Sequence, residues 1–365
     1  MNEKKIMKTI LFLSRSSFPN LGGVEKHIYQ ISKVLIGKGY NMIIISESSQ
    51  KTYSSNYHSN EVSAKDVENG LKSKNIRIDV GGDNWFKKFR IWLQLLKHIK
   101  VIASSDIVHC HDVFFWYLPF RFVFPFKKVY VTFHGYEGNS LPSKKAIFMH
   151  KLAEVLSNGN ICVGDFLKKW YGTNPTFVTY GAIDTKLLKK RKVNLKIKRD
   201  IIFAGRLEKE TGILEYLKAI YILQTRGIKL SLDIFGDGQL MNQAKKTAIK
   251  NKIDASFKGF IPNVTDYLPN YKYVFVSRYL GILEALALKL PIFAEYNNAI
   301  KKDYLQMAPF AKYISISKNA KEIATSIEKQ IKSNKTLDLG GGVNWVKNQT
   351  WENMVEIYLK LWKKN

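Results

Sequence analysis

The chain reads as an α/β protein with two doubly wound parallel sheets, and three observations carry that reading. Short apolar runs alternate with stretches of helical periodicity along most of its length. The pattern restarts after a Lys/Arg-dense stretch at residues 186–199, which reads as a linker. A chain of 365 residues also has the length of about two ordinary domains.

In order, the expected strands of the first half are residues 9–14, 41–46, 76–80, 106–110, 128–133, 160–163 and 176–179. The run at 9–14 is apolar throughout, as in a strand buried on both faces of a parallel sheet. The second half opens with a strand at 200–204, continues with a helix over 212–226, and has strands at 230–235, 273–276 and 291–294, with the segment 256–260 preceding the third of these four. Gly340-Gly341-Gly342 reads as a break before a last helix over 352–363. The division expected is 1–183 as one Rossmann-like domain, 184–345 as a second, and 346–365 as a helix returning to pack on the first.

Apolar residues at 45% and aromatics at 13% describe a globular chain and exclude a disordered one. Cys110 and Cys162 have neither disulfide-framework nor metal-ligand spacing, which points to a reducing, cytoplasmic setting. The first residues lack the apolar segment of a signal peptide, and no apolar run is long enough to span a bilayer. The net charge of +28 calls for an anionic partner. Its lysines are scattered and no nucleic-acid module is present, so no nucleic acid is expected.

The segment 277–291 carries the chemistry. Ile282, Leu283, Leu286 and Leu290 recur at helical spacing between two strand-like runs. The free N–H groups near 279–283 would then lie at a helix N-terminus, where unpaired donors and the helix dipole favour a diphosphate. Glu284, a turn inside, could accept hydrogen bonds from sugar hydroxyls or cap its own helix. Gly22-Gly23, between the first strand and the helix after it, lets a backbone approach a ligand. His109 and His111 fall on one face of a strand without a further ligand cluster, so no metal is expected there. His134 ends another strand, between Phe133 and Gly135. The helix expected over 85–100 presents Trp85, Phe89, Trp92, Leu96 and Ile99 as a stripe flanked by Lys87, Lys88, Arg90, Lys97 and Lys100. With Trp116 in the aromatic run 113–128, it suits an anionic membrane surface, or the outer face of the sheet.

The order of Gly22-Gly23, Thr132-Phe133-His134-Gly135, Ala182-Ile183-Asp184, Ala204-Gly205-Arg206-Leu207, Gly236-Asp237-Gly238 and Glu284-Ala285-Leu286-Ala287 resembles the retaining family-4 glycosyltransferases of the GT-B fold. The resemblance implies two Rossmann-like domains facing a cleft and transfer of a sugar from a nucleotide-sugar donor. It implies a glycan or lipid-linked acceptor at the inner face of the cell membrane, and no metal or other cofactor. By the same resemblance His134, Arg206 and Glu284 are catalytic. Gly22, Gly23, Arg206, Lys209, Leu280, Gly281 and Ile282 would hold the diphosphate. Glu284, Gly236 and Phe260 would meet the sugar or nucleotide, with Arg278 and Tyr279 as substitutes where family residues are missing, while the basic aromatic stretches themselves offer Trp85, Lys87, Lys88, Trp92 and Trp116 to the membrane or acceptor. Two family features differ: the first Glu of the motif falls on Val276, and the Lys preceding the glycine falls on Thr211. A GT-B protein that binds nucleotide sugar or a partner transferase without turnover is the alternative.

Overall fold

The computed structural model describes residues 7–18, 22–48, 73–136, 141–190, 197, 199–333 and 337–364. The first sheet contains β1 (Thr9–Ser14), β2 (Asn41–Glu47), β3 (Lys74–Ile78), β4 (Ile107–His111), β5 (Lys128–Phe133), β6 (Asn160–Val163) and β7 (Phe177–Thr179), in spatial order β3-β2-β1-β4-β5-β6-β7. The second contains β8 (Arg199–Ala204), β9 (Leu232–Phe235), β10 (Ala255–Gly259), β11 (Tyr271–Phe275), β12 (Ile292–Glu295) and β13 (Ser315–Ser317), in order β10-β9-β8-β11-β12-β13. Neighbouring strands in both sheets run parallel. Ile10 to Leu13 and Ile201 to Phe203 are buried without alternation, because helices cover both faces of each sheet.

Strand order reverses once in each sheet, between β1 and β4 and between β8 and β11. Ligands of doubly wound sheets sit outside the strand ends at such reversals. Four of the candidate segments leave these four strands: Gly22-Gly23, the stretch ending at His111, Arg206, and the helix Tyr279–Ala287. Gly22 also caps the helix Gly23–Gly37, so that helix opens towards the same edge.

Three expectations change. Gly340, Gly341 and Gly342 lie inside a helix, Leu339–Val346, rather than in a break. The Asp338 carboxylate caps it by accepting the Gly341 N–H at 2.8 Å. A Cβ on Gly342 would stand 2.9 Å from Leu286 Cδ2, so the missing side chain is what lets two helices approach. The segment 85–100 is two helices, Lys87–Lys97 and Ile99–Ser104, broken at His98. Part of the basic stretch after residue 184 is helical, Lys186–Lys190, while 191–196 and 198 lie outside the described residues.

The helix Trp351–Lys363 packs on the first lobe against Gly23–Gly37. Thr350 accepts the Asn353 N–H at 3.1 Å to start it. Trp351, Met354, Val355 and Tyr358 share a core with Ile10, Phe12, Ile28 and Ile31. The chain therefore leaves the first lobe and returns to it, and the Ile183–Thr350 bridge joins the two crossings.

Candidate active site

At the reversal in the second sheet, the Arg206 and Arg278 guanidiniums face one oxygen. Arg206 Nη2 lies 3.3 Å and Arg278 Nη2 3.8 Å from Glu210 Oε1. Arg278 is the residue before the helix Tyr279–Ala287, so the pair stands at that helix tip. Its guanidinium also lies over the Tyr136 ring, 5.8 Å from the centroid, which brings the loop after β5 to the same place. Not every amide expected at the tip is open. The Tyr279 N–H donates to Tyr304 Oη at 2.8 Å, and Ile282 N–H to Arg278 O at 3.0 Å. Leu280 and Gly281 keep N–H groups without a partner among the described residues. Tyr279 itself is buried, stacked on Tyr304 at 3.9 Å, with its hydroxyl donated to Tyr304 O. Its side chain is a packing element here and presents nothing to a donor sugar.

Both oxygens of Glu284 are engaged. One accepts from the Lys26 ammonium of the opposite lobe, the other from Thr265 Oγ1 at 3.0 Å. The helix tip touches the glycines facing it. Leu280 Cδ1 is 3.9 Å from where a Cβ on Gly23 would stand, and its Cδ2 is 2.8 Å from that of Gly181. The two helix N-termini thus oppose each other, with the Lys26–Glu284 pair a turn behind.

The loop after β8 is tightly tied. Thr211, at the position where the resemblance calls for lysine, donates to Arg206 O at 2.5 Å. Lys301 approaches the same turn from another helix. Its ammonium donates to Glu210 O and pairs with Glu295 Oε2 at 3.1 Å. Burial pushes Lys301 down to about 8, with Glu295 opposing the shift, and burial raises the Glu295 carboxyl. Lys209 is exposed. Gly236 has no free amide, since its N–H donates to Gly259 O at 2.7 Å, and Phe260 is half-buried beyond β10.

The first lobe contributes a set of packed imidazoles. Trp362 Nε1 donates to His109 Nδ1 at 3.1 Å, so the His109 proton sits on Nε2 and goes to Thr132 Oγ1 at 2.8 Å. Thr132 bonds Tyr358 Oη, which bonds His27 Nε2, each at 2.9 Å. His27 meets His134 edge-to-face at 4.7 Å, and His134 Nε2 bonds His111 Nδ1 at 2.9 Å. Burial pushes His27 down to about 3, and burial, with neighbouring imidazoles, holds His109, His111 and His134 well below their usual range. The His134 N–H donates to Asp112 Oδ1 at 2.8 Å, and Asp112 adopts φ +62° at the end of β4. Glu137 and Gly138 lie outside the described residues, as do Asn20 and Leu21. Among the described residues no three His, Cys, Asp or Glu side chains are grouped as metal ligands.

The surface candidates divide. Trp85 is 91% exposed and Lys88 exposed, whereas Trp116 is 1% exposed and belongs to the core. Trp92 is half-buried, its indole N–H donated to Phe115 O at 2.9 Å. Lys87 pairs with Glu47 at 3.0 Å. The expectation for Trp116 fails because the helix Phe114–Val123 turns that ring inward with Phe114, Tyr117 and Phe120. Phe122 and Phe126 are the exposed aromatics of that run.

Lys26, Glu210, Thr265, Lys301, Tyr136 and Tyr304 join the site without a motif that singles them out. Glu210 lies four residues after Arg206, a spacing visible in the sequence. The others meet their partners only through the fold.

Two parallel doubly wound lobes meeting across opposed helix tips define a GT-B protein. Solved structures share that architecture: a glycosyltransferase from Rickettsia africae ESF-5 (TM-score 0.72, 15% identity, 98% of each chain covered) and Anabaena HepE in complex with UDP and glucose (TM-score 0.71, 13% identity, 98% of this chain and 100% of that one). The sequence pattern described as Glycosyltransferase Family 4 matches residues 21–187, and that of Glycosyl transferases group 1 matches residues 185–341. The chain belongs to the family 4, group 1 glycosyltransferases. Over 106 residues it is also 30% identical to one component of human phosphatidylinositol N-acetylglucosaminyltransferase, a match spanning 29% of this chain and 20% of that relative.

Proposed function

We propose that this glycosyltransferase moves a sugar from a nucleotide-sugar donor, with retention and without a metal, to a lipid-linked or cell-surface glycan precursor at an anionic membrane face. The observation that carries the reading is the pairing of Arg206 and Arg278 beside the unused Leu280 and Gly281 amides, opposite Gly22-Gly23. Forked guanidinium donors and open helix-tip amides suit the oxygens of a diphosphate. In transfer, the bond from the anomeric carbon to the phosphate oxygen breaks as the acceptor oxygen bonds to that carbon from the same face. The acceptor's proton passes to the departing phosphate. Arg206 and the amides stabilise the charge gathering on that phosphate. His134, held neutral, orients and polarises the sugar, and Glu284 takes the nucleotide ribose. UDP in the HepE structure and the N-acetylglucosaminyltransferase name of the human relative make uridine donors the first to try.

The test is release of nucleoside diphosphate from a panel of nucleotide sugars, with and without anionic vesicles and a chelator. Turnover that survives the chelator is expected, with kcat/KM falling about 100-fold or more in Arg206→Ala. A second reading, a binder without turnover, is favoured by Val276 and Thr211 standing where the family pattern has Glu and Lys. Wild type that binds donors and never releases diphosphate establishes it.

A further inference from the structure

The Lys26–Glu284 contact joins residues 258 apart in sequence, one from each lobe, at the face where a donor would enter. Lys26 lies in the first turn of Gly23–Gly37 and Glu284 in the second turn of Tyr279–Ala287. The Lys26 side chain keeps 39% of its surface exposed, against 12% for Glu284. The carboxylate is therefore held in place, by Thr265 as well, while the ammonium sits on a long flexible stem. Around it the charges of the site face one another: Glu210 faces both guanidiniums, and Lys26 faces Glu284, which leaves one cation in excess.

We infer that Lys26 is a diphosphate-binding residue that changes partner when the donor binds, an inference resting on the donor site proposed above. Ribose hydroxyls donate to Glu284 and displace the ammonium. A turn away lies the diphosphate, between the two helix tips. Lys26 moves to it and supplies, from the first lobe, the cation that Thr211 does not supply from the second. Tyr279 is too fully engaged for that task, and Lys301 is fully buried against Glu295. Donor binding thus exchanges one contact across the cleft for another, and the lobes stay joined through the ligand.

Calorimetric titration of the full chain with uridine, guanosine and adenosine and with their 5′-diphosphates tests this. The quantity read is the affinity ratio of diphosphate to nucleoside for whichever base binds. Lys26→Gln is expected to lower that ratio about 10-fold or more while leaving nucleoside affinity equal or improved, since Glu284 is unmasked. Lys26→Arg restores the ratio. Glu284→Gln weakens the nucleoside and preserves the gain from the diphosphate. An unchanged ratio in Lys26→Gln, whether both ligands weaken together or neither does, shows only a tie between lobes and overturns the inference alone. Failure of the wild type to bind any nucleoside diphosphate overturns the donor site itself, and this inference with it.

Discussion

Asp112, in a left-handed conformation uncommon for a side chain other than glycine, holds the His134 backbone, and the imidazoles behind it are neutral by burial. That neutrality has a pH consequence. In the unfolded chain each imidazole takes up a proton below about pH 6.5, whereas His27 in the fold resists protonation until about 3. The unfolded state then binds more protons, so stability is full above about 6.5 and declines as pH falls towards 3. Between pH 7.5 and 5.5 this difference in proton uptake is expected to cost on the order of 1 kcal/mol for His27, with His109, His111 and His134 acting in the same direction. Urea unfolding midpoints at the two pH values measure it, and a flat profile would contradict it. At this scale the glycines, Arg206 and His134 are legible in the sequence, because local pattern marks a strand end. Lys26 and Lys301 stay hidden because their meaning lies in Glu284 and Glu295, which only the fold brings to them.

Helices and strands are readable wherever burial is continuous, as in β1, β5 and β6, whose bounds fall where apolar runs begin and end. Glycine misleads in one place, since Gly340 to Gly342 signal a break yet lie inside a helix, where Gly342 serves a close helix approach. What decides a glycine's role is the space beside it, which a sequence does not display. Gly236 has φ +143°, and a Cβ there would fall 1.8 Å from Gly205 O, so the loops after β8 and β9 meet through it. Gly236→Ala is expected to cost about 3 kcal/mol or more, read as a fall in melting temperature and in denaturant midpoint. Gly340→Ala meets only Asp338 Oδ1, at 3.6 Å, inside a helix. It is expected to be neutral or to stabilise by up to about 1 kcal/mol. Equal losses from both would show that backbone contact is not what the glycine after β9 provides.

Across the whole molecule, the first lobe is unevenly finished. Three adjacent helices, Lys87–Lys97, Phe114–Val123 and Lys144–Leu156, line one side of its sheet. Phe89, Leu93 and Leu96 on the first, Phe122 and Val123 on the second, and Phe148 and Val155 on the third are exposed, with Trp85 and Phe126 beside them. Lys88, Lys97, Lys144 and Lys145 are exposed on the same helices, and Lys100 on the helix Ile99–Ser104 that follows the first. Among the described residues no helix is long and apolar enough to cross a membrane, so apolar surface of this kind would engage a bilayer from its interface. Each aromatic ring that enters the acyl boundary contributes at most about 1.5–3 kcal/mol, and each nearby cation about 1 kcal/mol on an anionic surface. The protein is therefore expected to sediment with phosphatidylglycerol vesicles and far less with phosphatidylcholine. The double change Trp85→Ser with Phe89→Ser should lower that partitioning at least about 10-fold without lowering the melting temperature, since both rings are already in water. Salt at 1 M should weaken what remains, because the cations act only over a Debye length of about 3 Å there. Trp116→Phe makes the opposite pattern, a lower melting temperature with partitioning intact, because that ring is core. Partitioning indifferent to lipid charge and to Trp85 and Phe89 would move the acceptor question to soluble glycans.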